Sequence, residues 1–160
     1  MAQTGVLRKN QSGTSRKALI AALSEDLARE YQAIISYVVY SQVLQGAAHM
    51  NIAAELETQA QEELRHALII AKQIDYLGGM PAIRPKPVRT SKDAKEMLRF
   101  DLENETETIR SYRECVRQSD ALGEFALAEH IREIQMQEQE HQIDLATAFG
   151  IEVPNPKTGS

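Results

Sequence analysis

The chain has 160 residues, 42% of them hydrophobic and 26% charged, which suits one globular domain and excludes disordered, collagen-like and two-domain readings. Eighteen basic residues stand against 23 acidic ones, a formal charge of −5, with no basic block long enough to track a phosphate backbone; nucleic acid is not an expected partner. Cys115 is the single cysteine, so no intrachain disulfide can form, and no stretch approaches the roughly 20 apolar residues of a membrane helix.

The opening MAQTGVLRKNQSGTSRK lacks the apolar run of a signal peptide, which makes the cytoplasm the expected compartment. Residues 1–14 read as an N-terminal arm. Four proline-free windows follow, at 15–45, 50–77, 91–118 and 121–149, each about 40 Å long if helical. Gly46 closes the first, Gly78 and Gly79 the second, and Gly123 separates the third from the fourth. Short turns at Gly46 and Gly123 imply two antiparallel helical hairpins. The segment GGMPAIRPKPVRTS between them is long enough to run the length of a bundle. The expected fold is therefore all-α: a four-helix bundle over 15–150 whose hairpins are joined by one long crossover, followed by a tail at 151–160. Ser91 is the expected N-cap of the third helix, with Asp93 in its first turn.

Steps of three and four along each window trace a buried seam. The first runs Ile20, Leu23, Leu27, Glu30, Ile34, Tyr37, Ser41, Leu44, and the second Ile52, Leu56, Gln59, Glu63, His66, Ile70, Gln73, Leu77. The third runs Leu98, Leu102, Glu105, Ile109, Tyr112, Val116, and the fourth Leu127, Ile131, Ile134, Glu138, His141, Leu145, Ala148. A glutamate interrupts every seam near its middle. In the second and fourth, a histidine follows three residues later.

A carboxylate in a core costs several kcal/mol unless compensated, and four converging carboxylates repel one another. Two divalent cations would neutralise four glutamates. Glutamate and histidine three apart share a helix face, and that donor set suits iron, manganese or zinc better than calcium. The chain also repeats itself: a shift of 75 aligns Asp26 with Asp101, Glu30 with Glu105, Tyr37 with Tyr112, Glu63 with Glu138 and His66 with His141. Two similar hairpins thus supply equal ligand sets, Glu30, Glu63 and His66 from one and Glu105, Glu138 and His141 from the other. That is the dinuclear carboxylate arrangement of ferritin-like bundles.

Tyr37 and Tyr112 lie two turns after their glutamates, and side chains that lean toward the helix N-terminus can bring a hydroxyl back to a ligand. His49 and His130 have no glutamate three residues before them and read as surface residues. Asp26 and Asp101 can hydrogen-bond a ligand but read first as part of a solvated face, Cys115 as a small buried hydrophobe, and the run from Gln135 to Glu140, its one ligand apart, as exposed surface.

The motifs DLAREY around Glu30, EELRHA around Glu63 and His66, DLENE around Glu105 and EQEH around Glu138 and His141 resemble those of the ferritin-like superfamily, bacterioferritin above all, over about residues 18–148. The resemblance implies that Glu63 and Glu138 bridge two metals, that Glu30 and Glu105 are terminal ligands, and that His66 and His141 serve one metal each. Tyr37 matches a tyrosine near that family's site. Bacterioferritins hold haem through a methionine directly after the first ExxH glutamate; Leu64 stands there, so haem is not expected. Glu62 and Gln137 replace the aspartates that commonly precede the ExxH glutamates, which alters the support of the histidines. The tail IEVPNPKTGS is too short and proline-rich for the fifth helix of large ferritin shells, and the N-terminal arm is about a dozen residues longer than the family expects, free to contact a neighbour.

The implied activity is a ferroxidase that oxidises ferrous iron with dioxygen for iron storage or detoxification, using two iron ions for which manganese or zinc can substitute. Its expected partners are ferrous iron, dioxygen or peroxide, and further copies of the chain, a dimer at least and a shell at most. Two rival readings share the site: a di-iron or di-manganese oxidase or peroxidase acting on another substrate, and a non-catalytic metal-binding helical bundle.

Overall fold

A computed structural model describes residues 14–156; the arm's residues 1–13 and the tail's residues 157–160 lie outside the described part. Among the described residues there are four helices, α1 (Arg16–Val43), α2 (Met50–Tyr76), α3 (Ala94–Leu122) and α4 (Phe125–Phe149), and a 3-10 turn at Ala47–His49 that leads into α2. None of them is long and apolar enough to cross a membrane.

The ends follow local chemistry. Ser15 caps α1, its Oγ accepting from the Ala18 amide at 3.1 Å. The cap of α3 is Asp93, which accepts from the Lys95 amide at 2.9 Å, and not Ser91 as the sequence suggests. The Ser91 hydroxyl instead accepts from the Asp93 amide at 3.0 Å, shaping the turn that delivers the cap. α3 also runs further than its window implies, ending only where Gly123 adopts a left-handed φ of 76°.

α1 packs on α2 and α3 on α4, and the two hairpins meet through α1 with α3 and α2 with α4, which leaves α1 diagonal to α4. The crossover after α2 lies along α1. It begins at Gly79, where a Cβ would meet the Ile20 side chain at 2.6 Å, so only glycine admits this approach. Further on, the Lys86 amide donates to the Ala28 carbonyl at 2.9 Å, Gln32 donates to the Pro87 carbonyl at 2.6 Å, and the Tyr40 hydroxyl donates to the Arg89 carbonyl. The strap therefore tracks α1 from Ile20 to Tyr40, about 30 Å of helix.

The core is split. One apolar plug gathers Leu19, Leu23, Leu27, Ile70, Ile74, Cys115, Leu127, Ile131 and Ile134. The other gathers Tyr40, Ile52, Leu56, Met97, Leu98, Leu102 and Leu145. Each fully buried aliphatic side chain contributes about 1.5–3 kcal/mol. The seams read from sequence are shifted at their margins: Ile20, Ile34 and Gln73 are only half-buried, and Ala148 is exposed. Between the plugs lies a layer made of the residues that interrupt those seams.

Candidate metal centre

That layer holds Glu30 from α1, Glu63 and His66 from α2, Glu105 from α3, and Glu138 and His141 from α4, none more than 2% exposed. The helical spacing that breaks each apolar stripe at its middle sets all six at one height. They form two overlapping donor sets. Glu30, Glu63, His66 and Glu138 make one, and Glu63, Glu105, Glu138 and His141 the other; within each, one donor atom per residue lies within 4.8 Å of all the rest. Glu63 and Glu138 belong to both.

Both histidines turn Nδ1 inward. His66 Nδ1 lies 3.1 Å from Glu63, 3.2 Å from Glu138 and 3.5 Å from Glu30. His141 Nδ1 lies 2.8 Å from Glu63 and 3.1 Å from Glu138. Their outer nitrogens are engaged across the seam between α2 and α4: His66 Nε2 with Gln137 Oε1 at 2.7 Å, and His141 Nε2 with Glu62 Oε2 at 2.8 Å. Each histidine is thus held by a residue of the opposite hairpin. The expectation that Gln137 is exposed surface is corrected here, since it is half-buried against His66.

The tyrosines also cross over. Tyr37 donates to Glu105 and Tyr112 donates to Glu30. Each hydroxyl reaches the glutamate of the facing helix and not, as helical lean alone suggests, the one on its own.

Asp26 and Asp101 are buried, 0% and 1% exposed, which overturns their reading as a solvated face. Asp26 accepts from Ser111 at 2.5 Å, from Arg29 at 2.9 Å and from the Cys115 thiol at 2.9 Å. A signal was present in the sequence: both aspartates lie four residues before a seam glutamate and therefore on its face. Cys115 is buried as expected, and desolvation with the Asp26 charge pushes its thiol up, out of reactive range. His49 and His130 join neither donor set. Both are half-buried where an exposed position was expected, and His49 Nδ1 lies 2.9 Å from the Gln45 carbonyl oxygen.

The electrostatics describe a layer short of positive charge. Desolvation and the neighbouring Glu138 and Glu63 carboxylates push Glu30 and Glu105 well above the ordinary carboxylate range. Desolvation pulls His141 down, but the hydrogen bonds its ring donates to Glu138 and Glu63 outweigh it and raise the ring from 6.5 to about 12; His66 is raised by the same kind of cause. Against its own desolvation, Glu63 is held low by the His141 and His66 rings. Without a cation the layer therefore holds protons. Even so, Glu30 Oε2, Glu63 Oε1, Glu105 Oε2 and Glu138 Oε1 are buried and make no well-directed hydrogen bond, although a ring nitrogen lies 2.8–3.5 Å from the first, second and fourth. Such atoms each cost about 1–3 kcal/mol or more, and two divalent ions would satisfy all four while cancelling four negative charges. Carboxylates with imidazole nitrogens are a donor set for iron, manganese or zinc. The residues present fit a pair of such ions.

The ferritin-like domain family matches residues 20–150. A bacterioferritin of Brucella melitensis biotype 1 is 26% identical over 141 residues, covering 84% of this chain and 88% of that one. A bacterial ferritin of Synechocystis sp. is 28% identical over 102 residues, or 63% of this chain and 65% of its own. Among solved structures, a ferritin-like, diiron-carboxylate protein from Bacillus anthracis superposes with a TM-score of 0.80 at 32% identity, covering 86% of this chain and 98% of that one. A dodecameric thioferritin, the bacterioferritin-related protein of Bacteroides fragilis, superposes with a TM-score of 0.78 at 27% identity, covering 85% and 86%. With the four-helix topology and the buried glutamate–histidine layer, these matches establish that the chain belongs to the ferritin-like family.

Proposed function

We propose that the protein is a ferroxidase of the bacterioferritin type, oxidising ferrous iron with dioxygen for iron storage or detoxification. One observation carries the reading: four buried carboxylate oxygens with no well-directed hydrogen bond converge with two inward imidazole nitrogens in two overlapping donor sets. Ferrous ions held by the two sets would each supply one electron, the two together reducing dioxygen to the level of hydrogen peroxide with two protons taken from water.

The chain's own residues do the rest. Glu63 and Glu138, common to both sets, would bridge the ions. Glu30 with His66 would complete one position, and Glu105 with His141 the other. Tyr112 and Tyr37 fix the orientation of the two terminal carboxylates by donating to them. Gln137 and Glu62 hold the two rings by their outer nitrogens. The apolar plugs on either side exclude water, which strengthens every charge interaction between them.

Association into a homo-oligomer belongs to the same reading. The Bacteroides fragilis relative is a dodecamer, and here Val38 and Leu64, each 52% exposed, line one groove with Ile34 on the outer face of α1 and α2.

The test is the rate at which added ferrous iron is oxidised under oxygen, after anaerobic loading to two ions per chain. Glu63→Ala should abolish the rapid phase. An unchanged rate removes this layer from the chemistry, and tight binding of two ions with no oxygen uptake in the unaltered protein would leave only a metal-binding bundle.

A further inference from the structure

Because the two hairpins are near copies, the positions where the copy fails stand out. Glu62 and Gln137 are counterparts under the 75-residue shift, yet they differ by a full charge. Both occupy the same station, behind the outer nitrogen of a histidine, at 2.8 Å and 2.7 Å.

A carboxylate at that station can only accept. Glu62 therefore keeps a proton on His141 Nε2, so that the proton a cation displaces is the one Nδ1 directs at Glu63 and Glu138. An amide carries both an acceptor and a donor edge. Turned over, Gln137 would donate to His66 Nε2 and let Nδ1 keep the proton, so it accommodates either form of that ring. Glu62 also sets a negative charge behind its imidazole and makes it a stronger donor, which a neutral amide does not.

A second failure of the copy lies one turn before the two terminal glutamates. Asp26, one turn before Glu30, is met by the Arg29 guanidinium at 2.9 Å. Its counterpart Asp101, one turn before Glu105, has Asn104 where Arg29 would stand, and its Oδ2 is buried with no hydrogen-bond partner. Asp101 thus lacks a guanidinium from its own helix, and burial pushes its carboxyl well above the ordinary range with Arg89 opposing.

We infer that the two ion positions are unequal by construction: the position of Glu105 and His141, backed by Glu62, takes the first divalent cation and holds it tighter. The position of Glu30 and His66, backed by Gln137, takes the second and holds it less tightly. This rests on the two-metal reading above.

The experiment is an anaerobic titration of the metal-free full chain with Zn²⁺, followed by calorimetry and by NMR of the histidine ring nitrogens. The first equivalent should shift the His141 signals and the second those of His66, with stepwise affinities about tenfold or more apart. Glu62→Gln should weaken the first step about tenfold and close the gap; Gln137→Glu should strengthen the second and close it from the other side. Both rings responding together, His66 responding first, or a gap unchanged in both variants overturns the inference alone. Uptake of fewer than two ions overturns the two-metal reading and the inference with it. The two variants act in opposite directions, so general damage to the fold cannot reproduce the pattern.

Discussion

Leu23 and Glu30 lie two turns apart on one face of α1, 0% and 1% exposed, and they stay inside for different reasons. Leu23 sits in an apolar plug where every neighbour gains by excluding water. Glu30 sits in a layer where desolvation and two other carboxylates oppose its charge, and only the Tyr112 hydroxyl, the His66 ring and a cation favour it. The plugs fold the bundle; the layer makes the bundle's stability depend on what is bound.

Truncation of a plug residue gives the largest effect and should ignore metal. Leu23→Ala should lower unfolding free energy by about 2–5 kcal/mol in denaturant titrations, by the same amount with and without Zn²⁺. A penalty that changes with metal would show that the plugs and the layer are not separable. Truncation of the layer should depend on metal even in sign. Glu105→Gln removes a buried carboxyl repelled by Glu138 and Glu63, so the metal-free protein should lose nothing or gain. The metal-loaded protein should lose about 1–3 kcal/mol with that donor. Equal losses in both forms would place Glu105 among ordinary core residues.

Acidity sharpens the contrast. The folded metal-free layer binds more protons than the unfolded chain, because His141 is raised from 6.5 to about 12 and Glu30, Glu105 and His66 are raised as well. The stability that the histidines add is fully present below 6.5 and is lost as the pH climbs toward the folded value. Metal-free stability should therefore fall by up to about 1.4 kcal/mol per pH unit for each proton held, from about pH 6.5 upward toward the folded value. Metal displaces those protons, so the Tm gap between loaded and metal-free protein should widen with pH. A gap that narrows would mean that the layer is not protonated as its geometry demands. Below the ordinary range of Glu63 the sign reverses, because that carboxyl is held low.

The plugs and the layer were also unequally legible. Four helices follow from where proline and glycine are missing, and the six layer residues stand out because a charge interrupts an apolar stripe. What surrounds the layer depends on partners far along the chain. Asp26 is buried because Ser111 and Cys115, 85 and 89 residues away, satisfy it, and nothing near Asp26 announces them. Glu62 meets His141 across 79 residues. At the start of α3 two good capping residues compete within three positions, and the crossover's path decides for Asp93. Local pattern reports which residues cannot be in water; only the assembled helices report what they touch instead.

The crossed tyrosines provide the finest probe of that assembly, and the smallest expected effect. Tyr112→Phe deletes one hydroxyl and little volume, so no sizeable cavity forms, and Glu30 loses a donor while its helix keeps its packing. The cost should be about 1 kcal/mol in unfolding free energy. Because Tyr112 serves Glu30, the Zn²⁺ step weakened should be the one read by the His66 ring, and Tyr37→Phe, which serves Glu105, should weaken the step read by His141. If each hydroxyl instead served the glutamate of its own helix, the two variants would exchange effects. That exchange would uncouple the hairpins, since the tyrosines, like Glu62 and Gln137, make each hairpin complete the other's half of the layer.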